Sequence, residues 1–138
     1  MTEKVYSKVI ESDPELLPEV EEFFLSIAEE LKLNETQQNN LTLSASEAVS
    51  NSIVHGNKLD RSKKVEITVT INDTKIEIKF KDEGKGFDPK AVPDPTAPEN
   101  ILKDSGRGLH IMRSFLDDLR YNFTPSGTEA ILTMNIEL

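Results

Sequence analysis

The sequence predicts an α+β fold, a two-layer arrangement with a mixed, mostly antiparallel sheet and helices on one face. Three observations predict it. Val65, Ile67, Val69 and Ile71 alternate with polar residues, and Ile76, Ile78 and Phe80 do the same after the turn at Asn72-Asp73. Such a pair reads as a β-hairpin with one apolar face. Two stretches upstream instead repeat their apolar residues at helical spacing. The order along the 138 residues is strand, helix, helix, hairpin, loop, helix, hairpin, with no internal repeat and no second domain. That order segregates helices to one side of a sheet.

Residues 5–11 form a short, partly alternating strand, with Val5, Ser7, Val9 and Glu11 on one side and Tyr6, Lys8 and Ile10 on the other, suited to a sheet edge. Asp13-Pro14 resembles an N-cap followed by proline in the first turn, although Pro18 also suits a helix start. Leu16, Val20, Phe23, Phe24, Ile27, Ala28 and Leu31 then recur at helical spacing, and Glu19, Glu21, Glu22, Glu29 and Glu30 make a solvated face. Asn34 and Gln37 are a capping pair for the next helix, and Gly56 or Asn57 supplies its stop. Residues 86–105 carry Pro89, Pro93, Pro95 and Pro98 with little periodicity, and a loop of that length inside a compact domain is functional or disordered. Gly106-Arg107-Gly108 opens a helix carrying Leu109, Met112, Phe115, Leu116 and Leu119. Residues 120–124, a turn at 125–127 and the alternating Ala130, Leu132, Met134, Ile136 and Leu138 close the chain as a second hairpin.

Composition excludes several classes of function. A formal net charge of -9 argues against direct binding to nucleic acid, whose phosphates are held by clustered Lys and Arg. There is no cysteine, and the two histidines, His55 and His110, lack zinc spacing. No apolar run approaches the ~20 residues of a membrane span, and the N-terminus lacks a signal-peptide core, so the expected location is the cytoplasm, off the membrane. GxxxxGK[ST] and GxSxG are both missing, and DEGKGFDP lacks the third glycine of a dinucleotide fingerprint.

The chain is organised around residues 41–56, LTLSASEAVSNSIVHG. Glu47 and Asn51 lie four residues apart and project from one helix face, with Ser44 and His55 continuing the row. Leu41, Ala45, Ala48 and Ser52 form an adjacent packing stripe. Asn51 offers a hard amide oxygen suited to Mg²⁺, a cation that shares its coordination with phosphates and water. Glu47, one turn away, can take a proton from an attacking hydroxyl. The inward register of the second hairpin strand, carried two residues further, lands on Asp82, where a carboxylate is costly unless paired. Asp82 can accept a hydrogen bond from an exocyclic amine, which selects adenine over guanine. Gly84 and Gly86 let backbone approach a base or ribose. Gly106 and Gly108 sit at a helix start, where free N–H groups and the dipole meet phosphate, and Arg107 adds charge.

ExxxN on a helix, DxGxG after a strand, and GxG before a later helix resemble the GHKL (Bergerat-fold) ATPase superfamily, which includes sensor histidine kinases and gyrase. SEAVSNSIVHG, DEGKGF, SGRGLHIM and GTEAILT are more narrowly similar to the anti-sigma-factor serine/threonine kinases of bacterial partner-switching modules. The resemblance implies one ATP-binding kinase domain over residues 1–138, with a lid at about 87–105. It implies ATP and Mg²⁺ as cofactors, Glu47 as catalytic base and Asn51 as metal ligand. Asp82 becomes the adenine-reading carboxylate with Gly84 and Gly86 beside the nucleotide, Gly106, Arg107 and Gly108 lie at the phosphates, and Thr128 lies near the adenine. His55 falls where the family often carries histidine and equally suits a structural role at the helix end. The implied partners are a STAS-domain antagonist as phosphate acceptor, a sigma factor as the sequestered protein, and a second copy in a homodimer. Two other readings stay open: a module that binds ATP and sequesters without phosphotransfer, and a GHKL ATPase or histidine-kinase catalytic domain acting in trans.

Overall fold

The computed structural model describes residues 3–84 and 116–136. The predicted helix after Gly106, the lid segment and residues Gly86, Gly106, Arg107 and Gly108 lie outside the described residues. Five strands form one sheet: β1 (Lys4–Glu11), β2 (Lys64–Ile71), β3 (Lys75–Lys81), β4 (Asp118–Thr124) and β5 (Gly127–Asn135). Their spatial order is β1-β2-β3-β5-β4, and each of the four pairings is antiparallel. Two helices, α1 (Leu17–Glu30) and α2 (Glu35–Asn51), separate β1 from β2.

Alternation decides which face of the sheet is covered. Val65, Ile67, Val69, Ile71, Ile76, Ile78 and Phe80 are all buried, as their period of two predicts, and Ala130, Leu132 and Met134 extend the same face across β5. Val20, Phe24, Ile27 and Ala28 of α1, with Leu41, Ala45, Ala48 and Val49 of α2, bury their stripes in the same core. Phe24 meets Phe80 with ring centroids 6.0 Å apart, which seats α1 on β3. β1 is an edge strand, and Val5 and Val9 on its outward side are about 60% exposed.

The ends of the helices follow from local chemistry. Asp13 caps a single 3-10 turn, Pro14–Leu16, and the α-helix proper starts at Leu17 with Pro18 in its first turn, so both predicted start signals are used. Asn34 and Gln37 exchange reciprocal bonds of 2.8 and 3.1 Å at the start of α2. At the end of α1, Lys32 sits at φ 57, Leu33 N–H donates to the Ala28 carbonyl and Lys32 N–H to that of Glu29. This is a Schellman stop with lysine where glycine is usual. Lys32→Gly is therefore expected to stabilise the fold by about 0.5–1 kcal/mol, read from a chemical denaturation midpoint; a lower midpoint would contradict the strain assigned to Lys32.

Two expectations are corrected. Leu119, assigned from its spacing to the helix predicted after Gly106, lies on β4 opposite Leu132. Its spacing from Phe115 and Leu116 fits a helix, its spacing from Tyr121 and Phe123 fits a strand, and pairing with β5 decides between them. α2 also does not run as a regular α-helix to Gly56. Ser52–Gly56 is a π-helical turn, Asn57 caps it at φ -89, and the chain reverses through Lys58 and Leu59 at φ 54 and 62.

Candidate functional site

The site is built where β3 ends. Asp82 follows Lys81 in the inward register and is 3% exposed, the sole buried carboxylate among the described residues. Its N–H donates to the Thr128 carbonyl at 3.0 Å. Its Oδ1 accepts from Thr128 N–H at 3.2 Å and from Gly84 N–H at 3.0 Å. Oδ2 carries no hydrogen bond among the described residues. Burial is the largest influence on this carboxyl and holds its pKa above the ordinary 3.8, against the opposing pull of the two backbone N–H groups and the Lys63 charge. A buried carboxylate with a spare oxygen fits a ligand that brings an N–H donor.

Three backbone segments close on Asp82. A Cβ on Gly56 would stand 2.2 Å from Asp82 Oδ2, so the residue ending the π-turn must lack a side chain for the carboxylate to fit. A Cβ on Gly84 would stand 2.6 Å from the Gly56 carbonyl. Gly127 opens β5 at φ 154, and a Cβ there would stand 2.0 Å from the Asp82 carbonyl. Both the dihedral and the contact exclude alanine. Gly127→Ala is expected to destabilise the fold by about 3 kcal/mol, lowering the melting temperature by about 10 °C. An unchanged melt would show that β5 does not need this close approach.

The third feature is a buried polar cluster. Asn57, 0% exposed, donates from Nδ2 to Ser12 Oγ at 2.7 Å and to the Lys64 carbonyl at 3.0 Å. Its Oδ1 accepts from Glu83 N–H at 2.7 Å. Ser12 Oγ in turn donates to the Lys63 carbonyl at 2.7 Å. The Glu83 carboxylate accepts from Lys64 N–H, so this acid of the DEG motif is tied back to β2.

α2 arrives at this cradle through its π-turn. Glu47 and Asn51 are both half-buried, and neither side chain is hydrogen-bonded among the described residues. Asn51, the last residue of α2, directly precedes the π-turn that ends at Gly56, and Glu47 lies one α-turn, about 6 Å, further back. Leu41, Ala45, Ala48 and Ser52 are buried, as their stripe predicts. The row drawn through Ser44, Glu47, Asn51 and His55 does not hold as one face. Ser44 is 0% exposed, its Oγ unpartnered among the described residues, whereas His55 is exposed. The wider π-turn advances fewer degrees per residue than an α-turn and swings His55 out of line. Among the described residues no group of three or more His, Cys, Asp or Glu could hold a metal.

The structure thus brings Asp82, Gly84 and Thr128 together and places Asn51 and Glu47 along the helix that ends against them. Sequence reasoning missed the roles of Gly56, Gly127, Asn57 and Ser12. Gly56 and Asn57 read only as a helix stop, because Asp82 and Glu83, which they respectively meet, lie 26 residues downstream. Ser12 stands between Glu11 and Asp13, and a serine in so polar a stretch carries no sign that it is buried.

The fold is that of the histidine kinase-like ATPases. It is similar to a histidine kinase domain from the Erythrobacter litoralis EL346 blue-light activated histidine kinase, with a TM-score of 0.54 at 17% identity, over 72% of this chain and 44% of that one. The chain belongs to the histidine kinase-like ATPase domain family, which it matches over residues 10–134, and the resemblance to the GHKL superfamily stands. Membership implies an ATP-binding domain. The chain is 38% identical over 96 residues to proteins named anti-sigma F factor from Bacillus velezensis and Bacillus subtilis, covering 66% of this chain and 64% of each relative. A protein of the same name from Clostridium perfringens is 37% identical over 92 residues, covering 63% of this chain and 64% of the relative. The chain thus spans a little under two-thirds of the length of these curated relatives. No helix among the described residues is long and apolar enough to cross a membrane.

Proposed function

We propose that this chain is an ATP-dependent serine/threonine kinase that acts as an anti-sigma factor, phosphorylating a STAS-domain antagonist and sequestering a sigma factor in the cytoplasm. The observation that carries the reading is the buried Asp82, held in a glycine cradle against the end of the helix that bears Glu47 and Asn51. The names of the relatives support the regulatory part of it. β1 leaves an open sheet edge flanked by exposed Val5 and Val9, a surface suited to self-association as a homodimer.

In this reading Asp82 Oδ2 accepts the exocyclic amine of adenine, and Gly84 and Thr128 flank the base. Asn51 holds Mg²⁺, which neutralises phosphate charge when bound. Glu47 accepts the proton of the acceptor hydroxyl as its oxygen bonds to the γ-phosphorus. The bond from that phosphorus to the β–γ bridging oxygen breaks, and ADP leaves. Most of the acceleration comes from positioning and charge neutralisation.

Incubation with γ-labelled ATP and Mg²⁺, with and without a STAS-domain protein from the same genome, tests the proposal. Label on a serine or threonine of that protein is the expected result. ATP binding with no transfer would leave a sequestering module, and label on histidine would point to a histidine-kinase catalytic domain acting in trans.

A further inference from the structure

We infer that Asn57 is a positioning residue for nucleotide recognition, holding Asp82 and Gly84 in their reading geometry through the Glu83 backbone. The inference rests on the ATP-binding reading above. Among the described residues, Asn57 alone bonds at once to Ser12 just past β1, to the start of β2 and to the segment after β3.

Its chemistry is set by its three partners. Ser12 Oγ and the Lys64 carbonyl both accept, and the Glu83 N–H donates, so the buried side chain must supply two donors and one acceptor in a plane. A primary amide does this. The same network fixes which way the amide faces, since only its oxygen can meet Glu83 N–H.

Two of the bonds join β1 to β2 and serve the fold. The third serves the site. Glu83 stands between Asp82 and Gly84, and without its anchor the bonds that tie this segment to the other described elements are those to Thr128 and that of the Glu83 carboxylate to Lys64 N–H. Thr128 grips Asp82 from the β5 side, while Asn57 grips the next peptide from the helix side. The carboxylate cannot then rotate out toward water, where burial would otherwise drive it. Asn57 also directly follows Gly56, whose carbonyl meets Gly84, so one dipeptide sets both the close approach and the anchor.

The test is titration of the full chain with ATP and Mg²⁺ as wild type, Asn57→Ala, Asn57→Asp and Ser12→Ala, each at a temperature where circular dichroism shows it folded. Asn57→Ala is expected to raise Kd at least tenfold, the equivalent of one lost buried hydrogen bond at the site. Ser12→Ala removes a partner on the β1 side only and is expected to stay within about twofold of wild type, although it also melts lower. Asn57→Asp keeps the acceptor for Glu83 but loses both donors. It should bind better than Asn57→Ala while being no more stable, an order that a purely structural role would reverse. In the nucleotide-free chain, the Glu83 amide should exchange faster in Asn57→Ala and not in Ser12→Ala. A folded Asn57→Ala with near wild-type affinity overturns the inference, as does equal weakening by Ser12→Ala. If Asn57→Ala does not fold, Asn57→Ser, whose hydroxyl is too short to reach the Glu83 N–H, takes its place: binding at least tenfold weaker than that of Asn57→Asp supports the inference and equal binding overturns it. A wild-type chain that binds no ATP removes the ATP reading itself, and with it this role. Loss confined to the variants' contrast removes the positioning role alone.

Discussion

Asp82→Asn is expected to weaken ATP binding by about tenfold to a hundredfold while leaving the nucleotide-free chain at least as stable at neutral pH. The substitution keeps Oδ1 as acceptor for Gly84 and Thr128 N–H, so the local loop is preserved. It replaces Oδ2, the oxygen with no partner among the described residues, by a donor facing the donor of adenine. A hydrogen bond to a charged group contributes about 1.5–3 kcal/mol, and its loss plus an unpaired donor gives the expected range. The stability half follows from the direction of the pKa. Burial holds the folded-state carboxyl above its ordinary 3.8, so the folded chain binds this proton more tightly than the unfolded chain. Stability contributed by the group is therefore present below the ordinary value and is lost as pH rises through the raised one. Above that window the ionised carboxylate is a constant cost that asparagine removes. Melts of wild type and variant across this window should diverge as pH rises, with the variant equal or higher at neutrality. A variant that melts clearly lower there would contradict the cost assigned to Asp82, and unchanged ATP affinity would remove its adenine role.

Glu47→Gln is expected to slow phosphoryl transfer by about a hundredfold to ten-thousandfold with ATP affinity changed by less than about threefold. Gln matches Glu in shape and helix propensity, and Glu47 has no hydrogen-bond partner among the described residues, so α2 should not notice the change. What disappears is the capacity to take a proton from the acceptor hydroxyl. In the proposed site the base is held at Asp82, at the far end from Glu47, and affinity should persist. Single-turnover transfer of labelled phosphate and a separate binding titration, on the same preparation, distinguish the two quantities. Parallel loss of binding and transfer would make Glu47 a structural residue.

Much of the fold could be read from periodicity, because one face of the sheet is buried. At Val65 to Ile71 and Ile76 to Phe80 every second residue is apolar, and a register slip would expose them all. The same rule placed Asp82 inward, which is why the centre of the site could be found before any contact was known. Asn51 and Glu47 could be placed near each other for a local reason, since both lie one turn apart on α2. What could not be read is whatever depends on distant backbone. Gly127 is demanded by the Asp82 carbonyl, 45 residues away in sequence, and Gly56 by the Asp82 carboxylate. Asn57 has partners on three different segments, and no window of sequence contains them. The π-turn was likewise invisible, because SNSIVHG has an ordinary helical pattern, and with it went the outward swing of His55. Leu119 shows the opposite failure, a residue whose local spacing satisfied two periods at once.

Calorimetric titration of the wild-type chain with ATP and then GTP, both with Mg²⁺, tests most directly the claim that the Asp82 cradle reads adenine. One ATP site per chain, with GTP at least tenfold weaker, is the predicted result, because guanine presents an oxygen where adenine presents its amine and would meet the Asp82 carboxylate acceptor to acceptor. Equal affinity for the two nucleotides, or no binding of ATP at all, would contradict it.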